Sequence, residues 1–306
     1  MGGRVFVPQR DLRRNRWSLL HRAAHENEPV HHRRGVSKTK RLLSNTLTYA
    51  RSNAASLEGE PMNTVRSMWT EKTIDLMERL SISSYLYHGV PYHLYLYNDV
   101  TGIPDGVVIH DAREILPQSE IQNFRHPEQF ADYFRYAMLL MEGGWHADMD
   151  SVCLKPFDIS TPYAFVLDNV DEFYVSGCFM KTPKGAPIMQ HCFKTVSDMS
   201  VSDRVNKGYQ DVGPKLVQSS VLKFGMTSYL QPKAAFDPVP WNRIKDIVNP
   251  TIKWDLTKSY AVHLRGSIWD NGPNAAAGIL PSGKKLDSTA SYPADCLYEQ
   301  LKRRYL

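Results

Sequence analysis

From Thr64 onward the apolar positions alternate between strand and helix periods. Thr64–Trp69 reads as a short strand. Thr73–Tyr87 reads as a helix, because Ile74, Met77, Leu80, Ile82 and Leu86 recur near the helical period. Gly89 follows in the position where helices close on a left-handed residue. Tyr92–Tyr97 is an aromatic and aliphatic run of strand character. Asn98, Asp99, Thr101 and Gly102 supply turn chemistry, and Val107–His110 is a further short strand. The clearest helix covers residues 127–142: Pro127 suits its first position, and Phe130, Phe134, Ala137, Met138 and Met141 form one apolar stripe. Gly143 and Gly144 end it. Trp145–Asp150 then reads as a short strand running into a polar turn. Tyr163–Asp168 and Phe173–Lys181 read as strands, Pro187–Ser197 as a helix, and Ser259–His263 as strand-like within a loop-rich last hundred residues. Strands interleaved with helices predict a layered α/β domain.

The 306 residues are 42% hydrophobic and 23% charged, ordinary for a globular chain with a sizeable core. The net charge of +5 is uneven: Arg4, Arg10, Arg13, Arg14, Arg16, Arg22, Arg33, Arg34, Lys38, Lys40, Arg41 and Arg51 crowd the first sixty residues, where apolar periodicity is weak. We therefore divide the chain into a basic, flexible arm (1–60) and one catalytic domain (61–306). An arm of that charge suits peripheral contact with an anionic membrane surface, and no nucleic-acid partner is expected. The cysteines Cys153, Cys178, Cys192 and Cys296 are scattered without a metal-ligand or disulfide spacing. With no apolar run long enough to span a bilayer, they point to a reducing, cytoplasmic setting.

Asp148 and Asp150 carry the candidate chemistry. Residues i and i+2 of a strand share a face, so this pair would project two carboxylates together, and they repel unless a cation lies between them. Hard divalent ions prefer oxygen ligands and are commonly shared with substrate phosphates. Asp132 and Arg135 sit three apart on the 127–142 helix, outside its apolar stripe. Only two glycines separate that helix from the strand leading to the pair, so Arg135 can lie beside it, with a donor fork suited to phosphate or sugar hydroxyls.

The run from Phe130 to Phe157 resembles the signature of the DXD-motif glycosyltransferase family. That group includes yeast-type initiating α-mannosyltransferases, capsular polysaccharide transferases and the catalytic domains of large glucosylating toxins. Asp132, Arg135, Tyr136, Gly143, Gly144, Asp148 and Asp150 match its pattern, while His146 stands where the family more often has Tyr or Trp. Flanking likenesses occur at Arg66–Trp69 with Leu80–Gly89, at Gly213 with Pro214, and at His263 to Trp269. The resemblance implies a glycosyltransferase A type fold, Rossmann-like with a mixed sheet flanked by helices. It also implies Mn²⁺ or Mg²⁺ and a UDP- or GDP-sugar donor transferred with retention to a glycan, lipid or protein acceptor. On that reading Asp148, Asp150 and His263 hold the metal, and Asp148, Asp150 and Arg135 are catalytic. Trp69, Asp132, Arg135, Tyr136, His146, Asp148 and Trp269 bind the donor, Trp69 by stacking on the base and Trp269 by covering the leaving group. Two alternatives stand beside it: an inactive nucleotide-sugar-fold binding module, and an Asp-x-Asp phosphatase.

Overall fold

The computed structural model describes residues 62–306 apart from 170–172, 209, 271 and 273, so the expected arm at 1–60 lies outside the described residues. Strand β1 (Val65–Trp69) leads into helix α1 (Leu76–Tyr87), then β2 (Tyr92–Leu96) and β3 (Val108–Asp111). Helix α2 (Pro127–Glu142) follows, its first turn fixed by a reciprocal bond in which the His126 N–H donates to Gln129 Oε1 at 3.0 Å. Gly143 and Gly144, at φ of 67° and 81°, turn the chain into β4 (Gly144–Ala147). Further along lie β5 (Ser151–Cys153), β6 (Ala164–Asn169), β7 (Tyr174–Thr182), α3 (Pro187–Ser197), α4 (Val201–Asn206) and α5 (Pro214–Lys223). The remainder holds β8 (Leu230–Gln231), α6 (Lys233–Phe236), β9 (Ala261–His263), α7 (Gly266–Trp269) and α8 (Leu297–Tyr305).

The main sheet has seven strands in the order β3-β2-β1-β4-β7-β6-β8. Strands β3, β2, β1 and β4 run parallel, and β7 is antiparallel to both β4 and β6. Strand β5 pairs with β9 in a separate two-stranded sheet. Side chains of successive strand residues go to opposite faces, and the packing follows that alternation. Tyr95, Phe165 and Met180 meet Phe134, Met138 and Met141 of α2 and the apolar sides of α3 and α5. Leu94, Leu96, Ala164, Val166 and Phe179 meet Ile82 and Tyr85 of α1 on the other face. Helices therefore cover both faces, which is the α/β layering expected. A third cluster gathers the C-terminal elements around Ile244, Leu264, Trp269, Tyr298 and Leu301. None of the described helices is long and apolar enough to cross a membrane.

Two expectations change. The last hundred residues are less loop-rich than their Gly and Pro content suggests: α5 buries Leu216, Val217 and Val221, and α8 buries Leu297, Tyr298, Leu301 and Tyr305. The strand expected over Trp145–Asp150 stops at Ala147, and Asp148–Ser151 is a turn closed by the Ser151 N–H donating to Asp148 O at 3.1 Å. What positions the site is strand order. The chain leaves β1 towards β2 and β3 on one side and returns through α2 to β4 on the other. The carboxyl ends of β1 and β4 thus flank a topological switch point, the place where open α/β sheets bind ligands. Trp69 ends one of these strands, and Asp148 follows the other.

Candidate active site

Asp148 leaves β4 anchored by its own N–H, which donates to Cys178 O at 2.9 Å. Its carboxylate Oδ1 accepts from Arg135 Nη2 at 2.8 Å and meets His146 Nε2 at 3.0 Å. Burial works against the charged form, but Arg135 and then the two nearby histidines outweigh it and hold this carboxyl well below the usual range. Asp150 points into a second set of contacts. Its Oδ2 accepts from the Gly266 N–H at 2.6 Å, its backbone oxygen from the Leu264 N–H at 2.7 Å, and its Oδ1 lies 3.1 Å from His263 Nε2. The β5–β9 ladder produces this by placing His263 opposite Ser151, next door to Asp150. Although burial opposes it, the Asp150 carboxylate, with Cys178 second, raises the His263 pKa well above its ordinary value.

Asp148, Asp150 and His263 each offer one atom, all within 4.8 Å of one another, the one such cluster among the described residues. The pair converges although it is not displayed by a strand. The turn folds it together, with Met149 between the two carboxylates tucked into the core. Asp150 Oδ1 is buried without a hydrogen bond of good geometry. Two carboxylate oxygens and one imidazole nitrogen make a donor set for one divalent cation.

Behind the pair lies a buried charged layer. Arg135 is 9% exposed at its side chain, with Nη1 2.9 Å from Asp132 Oδ1 and donating to Gly177 O at 2.6 Å. A Cβ on Gly177 would stand 2.5 Å from that Nη1, so a side chain at 177 would displace the guanidinium from its place against Gly177 O. Burial, opposed by Arg135 and reinforced by Asp148, pushes the Asp132 carboxyl up to about 7. A Cβ on Gly213, at the start of α5, would stand 2.1 Å from Asp132 Oδ2.

The residues expected at the site divide accordingly. Asp132, Arg135, His146, Asp148, Asp150 and His263 come together. Arg135 Nη1 and Nη2 are taken by Asp132, Gly177 O and Asp148, and its buried Nε has no hydrogen-bond partner. His146 is buried between Arg66 O, 3.2 Å from Nδ1, and Asp148, so it orients the carboxylate instead of offering a free face. The Tyr136 hydroxyl is buried too, donating to Val212 O at 2.9 Å. Trp69 is half-buried at the end of β1, its indole N–H donating to Thr73 O at 3.0 Å. Trp269 is placed elsewhere: it donates to Leu264 O at 2.8 Å and packs against Tyr298 with ring centres 4.8 Å apart, inside the C-terminal core.

One group of residues carried no sequence signal. Arg265 and Lys233 both pair with Asp168 and Asp237, next to the His263 turn. The four residues come from distant segments, so no local pattern marks them.

Residues 66–166 match the family described as the glycosyltransferase sugar-binding region containing the DXD motif. This segment runs from β1 through α2 and the Asp148–Asp150 pair into β6. The resemblance read from Asp132 to Asp150 is therefore a family match over that region, and it supports a glycosyltransferase-like function. Among solved structures, one titled PaToxG Glycosyltransferase is similar at 17% identity, covering 64% of this chain and 82% of its own, with a TM-score of 0.42. No curated protein matches the chain.

Proposed function

We propose that the protein is a nucleotide-sugar-dependent glycosyltransferase that holds a divalent cation, Mn²⁺ or Mg²⁺, on Asp148, Asp150 and His263. The observation that carries this reading is the convergence of those three side chains at the carboxyl end of β4, inside the region matched to the sugar-binding family. Bound there, the cation would neutralise charge on the diphosphate leaving group. The chain's own residues do the rest. Arg135 and His146 fix Asp148 in its charged form, and the Gly266 N–H fixes Asp150. Asp132 holds Arg135 from behind the donor site, and Trp69 stacks on the base at the end of β1. Transfer proceeds with retention: the bond from the anomeric carbon to the diphosphate breaks, the acceptor oxygen takes its place on the same face, and the acceptor proton passes to the departing phosphate. The acceptor is a glycan, lipid or protein hydroxyl, and the basic arm serves peripheral contact with an anionic membrane.

A panel of UDP- and GDP-sugars tests this. Release of UDP or GDP in the presence of Mn²⁺, lost in chelator, is the expected result. Turnover of phosphomonoesters without any nucleotide sugar would instead identify a phosphatase, and tight nucleotide binding without turnover an inactive binding module.

A further inference from the structure

Three contacts to Asp150 come from one short segment, from His263, Leu264 and Gly266, and the residue that shapes it is Arg265. Its backbone is left-handed, at φ 56° and ψ 59°. That conformation is unfavourable for a side chain as bulky as arginine and is ordinarily taken by Gly, Asn or Asp. It reverses the chain after Leu264 so that the next N–H, that of Gly266, reaches Asp150 Oδ2 at 2.6 Å. Space there is tight, since a Cβ on Gly266 would lie 3.3 Å from the same oxygen.

The Arg265 side chain explains how the strain is held. Its Nη2 donates to Asp237 and lies 3.4 Å from both oxygens of Asp168. Lys233 bonds the same two carboxylates, at 2.7 Å from Asp237. Asp237 is fully buried. Its Oδ1 and the Arg265 Nε are both buried without a hydrogen-bond partner, so the cluster is not optimised for stability. Two cations and two carboxylates from β6, α6 and the 265 turn therefore tie three segments to one point. Buried ion pairs commonly stabilise no better than apolar packing, and fixing geometry is their better-attested use.

We propose that Arg265 is a positioning residue for the cation site: anchored on Asp237 and Asp168, it holds the left-handed turn that aims the Gly266 N–H at Asp150. This inference rests on the cation reading given above. Outer partners of metal ligands are worth about 10- to 100-fold in affinity. The test is Mn²⁺ binding by the full chain without nucleotide, followed by electron paramagnetic resonance, for the wild type, Arg265→Gly, Arg265→Lys and Asp237→Asn. Arg265→Gly relieves the backbone strain but removes the anchor, so it separates the two roles of the residue. The expected result is at least about a 10-fold loss of affinity in Arg265→Gly and Asp237→Asn, and partial recovery in Arg265→Lys. Thermal unfolding checks that each variant is folded, and the near-isosteric Asp237→Asn carries the test if Arg265→Gly does not fold. Wild-type affinity in folded Arg265→Gly or Asp237→Asn overturns the positioning role alone. Absence of Mn²⁺ binding by the wild type overturns the cation reading itself.

Discussion

The Nη2 of Arg135 lies 2.8 Å from Oδ1 of Asp148, so a side chain of α2 sets the first carboxylate of the pair from behind. The same guanidinium holds Asp132 at 2.9 Å. Removing it would leave the buried Asp132 carboxylate and the part-exposed Asp148 carboxylate without the cation they share. Arg135→Ala is therefore expected to cost about 3 kcal/mol of stability. Arg135→Lys restores a charge but cannot serve Asp132, Gly177 and Asp148 together, and should lose most nucleotide-sugar turnover. Urea unfolding and a turnover assay measure the two effects.

Asp150→Asn separates the site from the fold. The Gly266 N–H retains an oxygen acceptor, so unfolding should stay cooperative and close to wild type. Mn²⁺ affinity and metal-dependent turnover should both fall by at least about 100-fold, because a charged oxygen ligand is lost. Calorimetric titration with Mn²⁺ and a turnover assay provide the check.

Helix α2 is legible in the sequence because its signals are local: Pro127 starts it, the stripe from Phe130 to Met141 shapes it, and Gly143 stops it. The pairing of Asp132, Arg135 and Asp148 is legible for the same reason, being compressed into one helix, two glycines and one strand. The turn at Asp148–Ser151 is not. A strand continued to Asp150 and a strand ended at Ala147 have the same residues, and the choice is made by Ser151, whose hydroxyl donates to Asp148 O at 2.6 Å. The burial of Trp269 is not legible in the sequence, because what covers it, Tyr292 and Tyr298, lies beyond a Gly- and Pro-rich stretch. The Arg265 cluster draws on residues 168, 233, 237 and 265, and no local pattern joins them.

The two glycines that admit the charged layer are expected to be intolerant. Gly213→Ala drives a methyl group against Asp132 Oδ2, and Gly177→Ala drives one against Arg135 Nη1. Each should destabilise by about 1–3 kcal/mol. Turnover should fall as well, because in either variant the Asp132–Arg135 pair must move. Neither glycine has a left-handed backbone, so the loss reads the contact. Thermal unfolding of the two variants against wild type makes the comparison.

Cation affinity should rise with pH. His263 is held in its protonated form above its ordinary pKa, chiefly by Asp150, and only the neutral ring can serve as a ligand. Below that raised pKa each cation bound expels about one proton, so the logarithm of the affinity should climb by about one per pH unit. Titrations in buffers of different ionisation enthalpy count the protons released. A flat profile in that range would remove His263 from the ligand set.

Asp132 gives a second pH signature of different origin. Burial raises its carboxyl from 3.8 to about 7, so the folded chain binds that proton more tightly than the unfolded chain does. Its contribution favours folding below 3.8 and is lost progressively as pH climbs to about 7. Asp132→Asn removes that loss, so its stability relative to wild type should improve between pH 5 and pH 7.5. Urea unfolding at the two pH values measures the difference.

Crystals soaked with Mn²⁺ and UDP or GDP, with diffraction recorded above the manganese absorption edge, address the centre of the proposal. The expected result is one anomalous peak bounded by Asp148, Asp150 and His263, with the nucleotide diphosphate against it and the base on Trp69. A nucleotide bound elsewhere, or manganese absent from those three side chains at saturating concentration, would contradict it.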